Sequence, residues 1–422
     1  MNLQKRDKEV NWHPYTQMKT AQEAIPIVKG KGAYLFDDEG KAYLDVVSSW
    51  WVTLHGHAHP YIAQRVSEQL HTLEQVIFAG FTHEPAIRLS ENLLGLLPAN
   101  QKKVFYSDNG STAVEVALKM CIQYWHNHKK EKTKILAFKD AYHGDTFGAM
   151  SVSGRSAWTK PFGEMLFEVV FIDTPTSENL SELKAFVKSI SQEVACFIYE
   201  PLVQGAAGML MHKAEDLSEL MKFCRAEGIL MVQDEVFTGF GRTGKLFAAD
   251  YLSENPDIMC FSKGLTGGTM PMGITTASYP VFEAFLSDDQ YKTLFHGHSF
   301  TANPLACTAA LASMELLLKK ETLNKIGFIS EKHLNFSKTL QQHAKVDKVR
   351  QTGTILAWEI KNEEQTSYFN ETGKVLYHKF LNRGIIMRPL GNVLYLVPPY
   401  CIMPEELDYV YGAILETLDA LN

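Results

Sequence analysis

The stretch Asp257-Ile258-Met259-Cys260-Phe261-Ser262-Lys263-Gly264-Leu265 decides how the rest of the chain is read. Ile258 to Phe261 form a short continuous apolar run, the pattern of a strand buried on both faces. Open α/β sheets bind ligands in the crevice beyond the carboxyl ends of their strands. Lys263, just after the run and just before a glycine, is therefore expected at that crevice. Partial desolvation there disfavours the ammonium form and makes the amine a usable nucleophile toward a carbonyl. On this segment alone a surface lysine on a turn would read the same way, so the neighbouring segments have to decide.

Working outward, the same pattern repeats. Apolar runs at Val104–Tyr106, Lys134–Phe138, Val169–Ile172, Ala195–Tyr199 and Ile229–Val232 alternate with helical stretches such as Ala113–His126 and Leu217–Glu227. Strands alternating with helices predict an α/β fold with a largely parallel sheet covered on both faces. Before it, Gly32–Asp37 and Ala42–Val47 predict a β-hairpin around the acidic turn Asp38-Glu39-Gly40-Lys41. After it, a long amphipathic helix is expected over Leu305–Lys320, and the rest reads as a smaller α+β domain. The expected division is an N-terminal segment 1–50 joining the small domain, a large domain 51–311 and a C-terminal small domain 312–422.

Composition narrows the class of partner. The 422 residues are 45% hydrophobic and 21% charged, with a net charge of -7, as in an ordinary soluble globular protein. No basic stripe marks a nucleic-acid or acidic-membrane surface, so a small-molecule partner is expected. The six cysteines are scattered without a C-x-x-C pair, which suits reduced thiols in a cytoplasmic protein. Neither a secretory signal nor a membrane-spanning segment is read from the chain.

Four motifs invite chemistry. Gly239-Phe-Gly-Arg-Thr-Gly-Lys245 fits two phosphate-loop patterns, but Leu246 stands where the Mg²⁺-binding hydroxyl would be, and the helical context is poor. A mobile or tightly turned active-site loop is the better expectation. His55-Gly-His-Ala-His59 looks like a metal cluster, yet no Cys or acidic partner has ligand spacing, so no metal is predicted. Ser107-Asp-Asn-Gly-Ser-Thr-Ala-Val-Glu115 follows a strand and opens a helix, with Thr112 and Glu115 expected as a capping box. A helix start of this kind suits an anion. Finally, Asp234 closes the run Ile229–Val232, and a buried carboxylate there needs a cationic or N–H partner. A protonated pyridine nitrogen is one such partner.

Taken together, these residues make the chain resemble the class III, fold-type I aminotransferases that depend on pyridoxal 5'-phosphate. The resemblance rests on Asp234-Glu-Val-Phe-Thr-Gly-Phe-Gly-Arg-Thr-Gly244 and Pro256-Asp-Ile-Met-Cys-Phe-Ser-Lys-Gly-Leu265, and it runs over essentially the whole length. It implies a large domain with a mainly parallel seven-stranded sheet and a small α+β domain drawn from both termini. Trp12-His-Pro-Tyr-Thr-Gln-Met18, Ser48-Ser-Trp-Trp51, Tyr142-His-Gly-Asp145 and Arg388-Pro-Leu-Gly-Asn-Val-Leu-Tyr395 are similar to the members that serve biotin synthesis. For those the resemblance implies ping-pong transfer of an amino group, expected from S-adenosylmethionine, to 8-amino-7-oxononanoate, giving 7,8-diaminononanoate. Lysine as donor, or another ω-amino-acid substrate, remains as an alternative.

The same resemblance implies roles residue by residue. Lys263 becomes the Schiff-base lysine, Asp234 the partner of the pyridine nitrogen, and Tyr142 the ring stacked on the cofactor. Gly110 and Ser111 would hold the phosphate. Gly297 and Ser299 would reach the phosphate of a neighbouring subunit, which implies an obligate homodimer with shared sites. Tyr15, Trp50, Trp51, Asp145 and Tyr395 would line the substrate pocket, with Arg388 on the substrate carboxylate. One departure stands out: His298-Ser299 occupies a place where some relatives have Pro-Thr.

Overall fold

The computed structural model describes residues 2–361 and 371–421. At its centre lies a seven-stranded sheet. Its order is Gln101–Ser107, Gly273–Ser278, Ile258–Phe261, Leu230–Asp234, Val194–Tyr199, Lys134–Phe138 and Val170–Ile172. All these strands run parallel except Gly273–Ser278, which is antiparallel to both neighbours. Every residue of Val194–Tyr199, Leu230–Asp234 and Ile258–Phe261 is buried, as strands covered on both faces must be.

Alternation along each strand divides the core in two. Ile135, Ala137, Cys196, Ile198 and Val232 pack with the helix Gly110–Asn127. Leu136, Phe138, Phe197 and Met231 point the other way, onto Leu180–Ile190 and Ala214–Ala226. The antiparallel strand Gly273–Ser278 carries no apolar run to betray it. Its polar side chains are absorbed locally: Thr275 Oγ1 donates to Ala113 O at 2.7 Å and Thr276 Oγ1 to Gln101 Oε1 at 2.7 Å.

The helix expected over Leu305–Lys320 spans Pro304–Leu317 and is not amphipathic. All of its residues except Leu305 and Glu315 are buried, because Pro60–Thr72, Glu84–Leu96 and the turn at Lys263–Thr266 enclose it. The expected hairpin is present as Tyr34–Asp37 against Ala42–Asp45. Ile385–Ile386 adds to it in parallel, so the start of the chain and its C-terminal part share one sheet. A second small sheet pairs Val346–Thr352, Ile355–Ile360 and Val393–Leu396. The six cysteines are free thiols; five are buried and Cys401 is half-buried. Among the described residues no helix is long and apolar enough to cross a membrane.

Candidate active site

A cavity of about 420 Å³ opens at the carboxyl edge of the central sheet, and Lys263, Asp234, Glu200 and the helix start at Asn109–Ser111 all line it. Lys263 follows the strand Ile258–Phe261 with φ 45°, a left-handed conformation that a non-glycine residue adopts at a cost. Its Nζ lies 4.9 Å from the centre of the Trp51 ring and 5.7 Å from that of Phe237. Burial pushes the ammonium below its ordinary range, while the charges of Asp234 and Glu200 oppose the shift. The net direction is down, toward a nucleophilic amine.

Asp234 ends the adjacent parallel strand and is buried. Its Oδ2 accepts from His143 Nδ1 at 2.7 Å and its Oδ1 from the Val236 N–H at 2.9 Å. His143 is itself buried, and its Nε2 has no hydrogen-bond partner among the described residues. Glu200 follows the next strand, Val194–Tyr199, and accepts from the N–H groups of Tyr142 at 3.0 Å and Gly205 at 3.1 Å. Burial raises its carboxyl to about 7; His143 pulls it back and Asp234 pushes it further. Sequence reasoning missed His143 and Glu200. The rule that found Asp234 finds Glu200 as well, since both stand where a buried apolar strand ends.

At the helix start, the capping box forms between Asn109 and Thr112, not between Thr112 and Glu115. Asn109 Oδ1 accepts from the Thr112 N–H at 2.9 Å, and Thr112 Oγ1 accepts from the Asn109 N–H at 3.2 Å. Glu115, one turn further on, instead accepts from the N–H groups of Gly148 at 2.8 Å and Ala149 at 3.2 Å. It thereby ties the start of Phe147–Ser151 to the long helix and fixes the Tyr142–Asp145 segment just before it. The N–H groups of Gly110 and Ser111 belong to the first helical turn, whose donors have no intrahelical acceptor. Space around them is tight: a Cβ on Gly144 would lie 2.0 Å from Ser111 Oγ, and one on Gly110 2.8 Å from Val236 Cγ1.

The expected substrate-side residues divide between this cavity and an outer one of about 470 Å³. Tyr142 lines both, Trp51 the inner one and Asp145 the outer one. Tyr15 Oη donates to Asp145 Oδ2 at 2.5 Å and lies 3.4 Å from Tyr142 Oη. Its ring meets Trp50 edge-on at 5.7 Å, and the Arg388 guanidinium sits over Trp50 at 4.2 Å. Tyr395 is buried behind Trp51 and accepts from its Nε1 at 3.2 Å; it borders neither cavity. Gly297 and Ser299 also lie away from both cavities of their own chain. They sit on an exposed segment flanked by the exposed Phe295 and Phe300.

Two other motifs are accounted for without ligands. In Gly239–Lys245, the N–H of Gly239 goes to Glu235 O, that of Gly241 to Leu246 O and that of Gly244 to Gly241 O. Arg242 is fully buried, with Nη1 donating to Pro398 O at 2.9 Å and Nη2 to Trp51 O and Thr53 O. The segment is a tightly turned, packed corner. His55 pairs with Ser313 Oγ at 3.1 Å and His57 with Asp45 at 2.9 Å. Burial lowers His55 to about 3, and no metal-binding cluster exists among the described residues.

The donor set can be tested against a phosphorylated pyridine aldehyde. Such a group needs anion donors at one end, a carboxylate at a ring N–H and an amine at the aldehyde. The free N–H groups at Gly110 and Ser111, the buried Asp234 braced by His143, and the buried Lys263 supply these in one cavity. The glycine-limited floor at Gly110 and Gly144 leaves no room for a Cβ there. The residues fit the group.

Residues 15–418 match the family model of the class-III aminotransferases. The chain is 47% identical over 420 residues to an adenosylmethionine-8-amino-7-oxononanoate aminotransferase of Synechococcus elongatus, covering 97% of this chain and 98% of that one. The crystal structure of the Methanocaldococcus jannaschii enzyme of the same name superposes with a TM-score of 0.95 at 36% identity, covering 100% and 99% of the two chains. A transaminase from the marine bacterium Virgibacillus superposes at 0.91 with 30% identity, covering all of both chains.

Proposed function

Since the chain belongs to the class-III aminotransferases, we propose that it performs the 8-amino-7-oxononanoate transamination its relatives are named for, as a step of biotin synthesis. An amino group passes from S-adenosylmethionine to 8-amino-7-oxononanoate, giving 7,8-diaminononanoate, in a ping-pong sequence of two half-reactions. Pyridoxal 5'-phosphate, when bound, supplies an aldehyde for the amine and an electron-poor ring that accepts charge as a C–H bond breaks. The observation that carries the reading is a single one. Lys263, Asp234 and the free helix start meet in one cavity at the sheet's carboxyl edge.

In this reading each residue has a task set by its surroundings. Gly110 and Ser111 hold the phosphate through first-turn N–H groups, where the helix end is positive. Asp234, held by His143 and the Val236 N–H, keeps the ring nitrogen protonated. Tyr142 covers the ring. Lys263, depressed by burial, moves the proton at the donor's reacting carbon. Arg388, braced on Trp50, takes the carboxylate of the keto substrate, a job its planar fork suits. Tyr15, Trp50, Trp51 and Asp145 shape the substrate space, and Tyr395 acts by holding Trp51. Gly297 and Ser299 complete the phosphate site of a second copy, which makes the enzyme an obligate cytoplasmic homodimer.

A single-turnover experiment tests the function. Adding S-adenosylmethionine to the yellow, cofactor-loaded enzyme should bleach it, and 8-amino-7-oxononanoate should then restore the colour. Bleaching by lysine alone would reassign the donor. Failure of the keto acid to restore the colour would reject the biotin-pathway reading.

A further inference from the structure

We propose that Trp158 is a specificity-determining residue that recognises the positively charged sulfonium of the amino donor. This inference rests on the donor assignment above and extends it to a residue outside every motif considered so far. Trp158 is half-buried and lines the outer cavity, which shares Tyr142, Gly144 and Ala206 with the Lys263 cavity. Its indole meets Tyr15 at 6.0 Å and 82°, and Tyr15 in turn meets Trp50 at 5.7 Å and 67°. The three rings form a continuous aromatic wall.

The loop that carries Trp158 is built rather than loose. Gly154 N–H donates to Ala141 O at 2.7 Å, and a Cβ on Gly154 would lie 2.1 Å from Lys139 O. Arg155 spends its guanidinium on the carbonyls of Met150, Ser151, Ser153 and Phe167. Ser156 N–H donates to Thr159 Oγ1 at 2.9 Å, and Trp158 N–H to Ser156 Oγ at 3.3 Å. The turn fixes where the indole stands.

Charge at this end of the cavity selects the ligand. Of the cations lining it, Lys139 is paired with Asp173 at 2.8 Å, Lys348 with Glu359 at 3.0 Å, and Arg155 is committed to backbone. Asp145, in contrast, has no cationic partner among the described residues; its carboxylate accepts from the Tyr15 hydroxyl and also faces that of Tyr142. Aromatic faces beside an uncompensated carboxylate favour a cation. A sulfonium has no N–H to donate, so ring faces and a nearby negative charge are what can recognise it. A lysine ammonium brings three donors that aromatic faces do not satisfy.

The test uses the full-length, cofactor-loaded enzyme and separates its two half-reactions. Trp158→Leu keeps an apolar side chain but removes the π-face; Trp158→Phe restores a smaller one. Cation–π attraction predicts that Trp158→Leu weakens S-adenosylmethionine in the bleaching half-reaction by roughly 3- to 30-fold. Trp158→Phe should recover most of that loss. The apparent affinity for 8-amino-7-oxononanoate in the return half-reaction should change less than about twofold. S-adenosylhomocysteine, the neutral thioether, should lose less affinity than the sulfonium. Equal weakening of both half-reactions, an equal shift for the thioether, or no shift at all would overturn the inference. If the wild-type enzyme is not bleached by S-adenosylmethionine, the donor assignment itself fails and takes this inference with it. If wild type is bleached and Trp158→Leu matches it, only the inference about Trp158 falls.

Discussion

Two glycine-bearing segments of this chain look alike on paper and end up opposite in the fold. Asn109-Gly-Ser-Thr112 and Gly239-Phe-Gly-Arg-Thr-Gly-Lys245 both suggest a loop wrapped around phosphate. In the first, capping consumes the Thr112 N–H, and the donors of Gly110 and Ser111 remain at a cavity wall. In the second, the N–H groups of all three glycines are spent on nearby carbonyls and the central arginine is buried. What separates the candidate anion site from the packed corner is which N–H groups remain unspent, and a glycine pattern does not record that.

The largest expected effect that would sharpen the contrast is at Arg242. Replacing it with Met leaves the carbonyls of Pro398, Trp51 and Thr53 without their donor. Unsatisfied buried acceptors of this kind should cost about 3 kcal/mol, read from urea unfolding. A variant of native stability that had lost cofactor affinity would instead make this corner a ligand loop.

An effect of similar size, but confined to a pH window, concerns Glu235, at the root of the same corner. Its carboxylate accepts from the Ala248 and Ala249 N–H groups, Thr238 Oγ1 and Gln233 Nε2, yet burial still raises it to about 7. A raised acid binds its proton more tightly when folded. Its contribution to stability is therefore full below about 4.5 and is lost as pH rises through about 7. Glu235→Gln should remove that slope, gaining on wild type by up to about 3 kcal/mol between those limits. A stability difference that stays constant from pH 4.5 to 7.5 would contradict the shift.

The smallest effect is on the open side. Ser111→Ala removes a hydroxyl at the helix start and should weaken pyridoxal phosphate about tenfold, near 1.4 kcal/mol, with little change in global stability. Unchanged affinity would mean that the phosphate is held elsewhere.

Legibility in the sequence follows the same physics. Strands buried on both faces announce themselves as apolar runs, which is why Ile258–Phe261 and its neighbours are legible, together with the sheet edge at which the cavity opens. Gly273–Ser278 is not, because its threonines bury hydroxyls that are paired only in three dimensions. Asp234 and Lys263 were legible as polar residues ending such runs. Glu200 obeys the same rule, one residue beyond Tyr199 and just before Pro201. His143 hides behind Tyr142, and its contact with Asp234 depends on two strands that are not adjacent in sequence. Trp158 was beyond reach, since only the folded loop brings its ring to Tyr15. The helix at Pro304–Leu317 failed differently: its period was read, but the elements that close over its outer face lie far along the chain.

The proposed function requires that Lys263 carry the cofactor and that Gly239–Lys245 bind no phosphate. Borohydride reduction of the pyridoxal-phosphate-loaded protein, followed by peptide mass mapping, tests it directly. The reduced phosphopyridoxyl group should be found on Lys263, and Lys263→Ala should lose both that adduct and steady turnover. An adduct on Lys245 or any other lysine, or steady turnover retained by Lys263→Ala, would contradict the account.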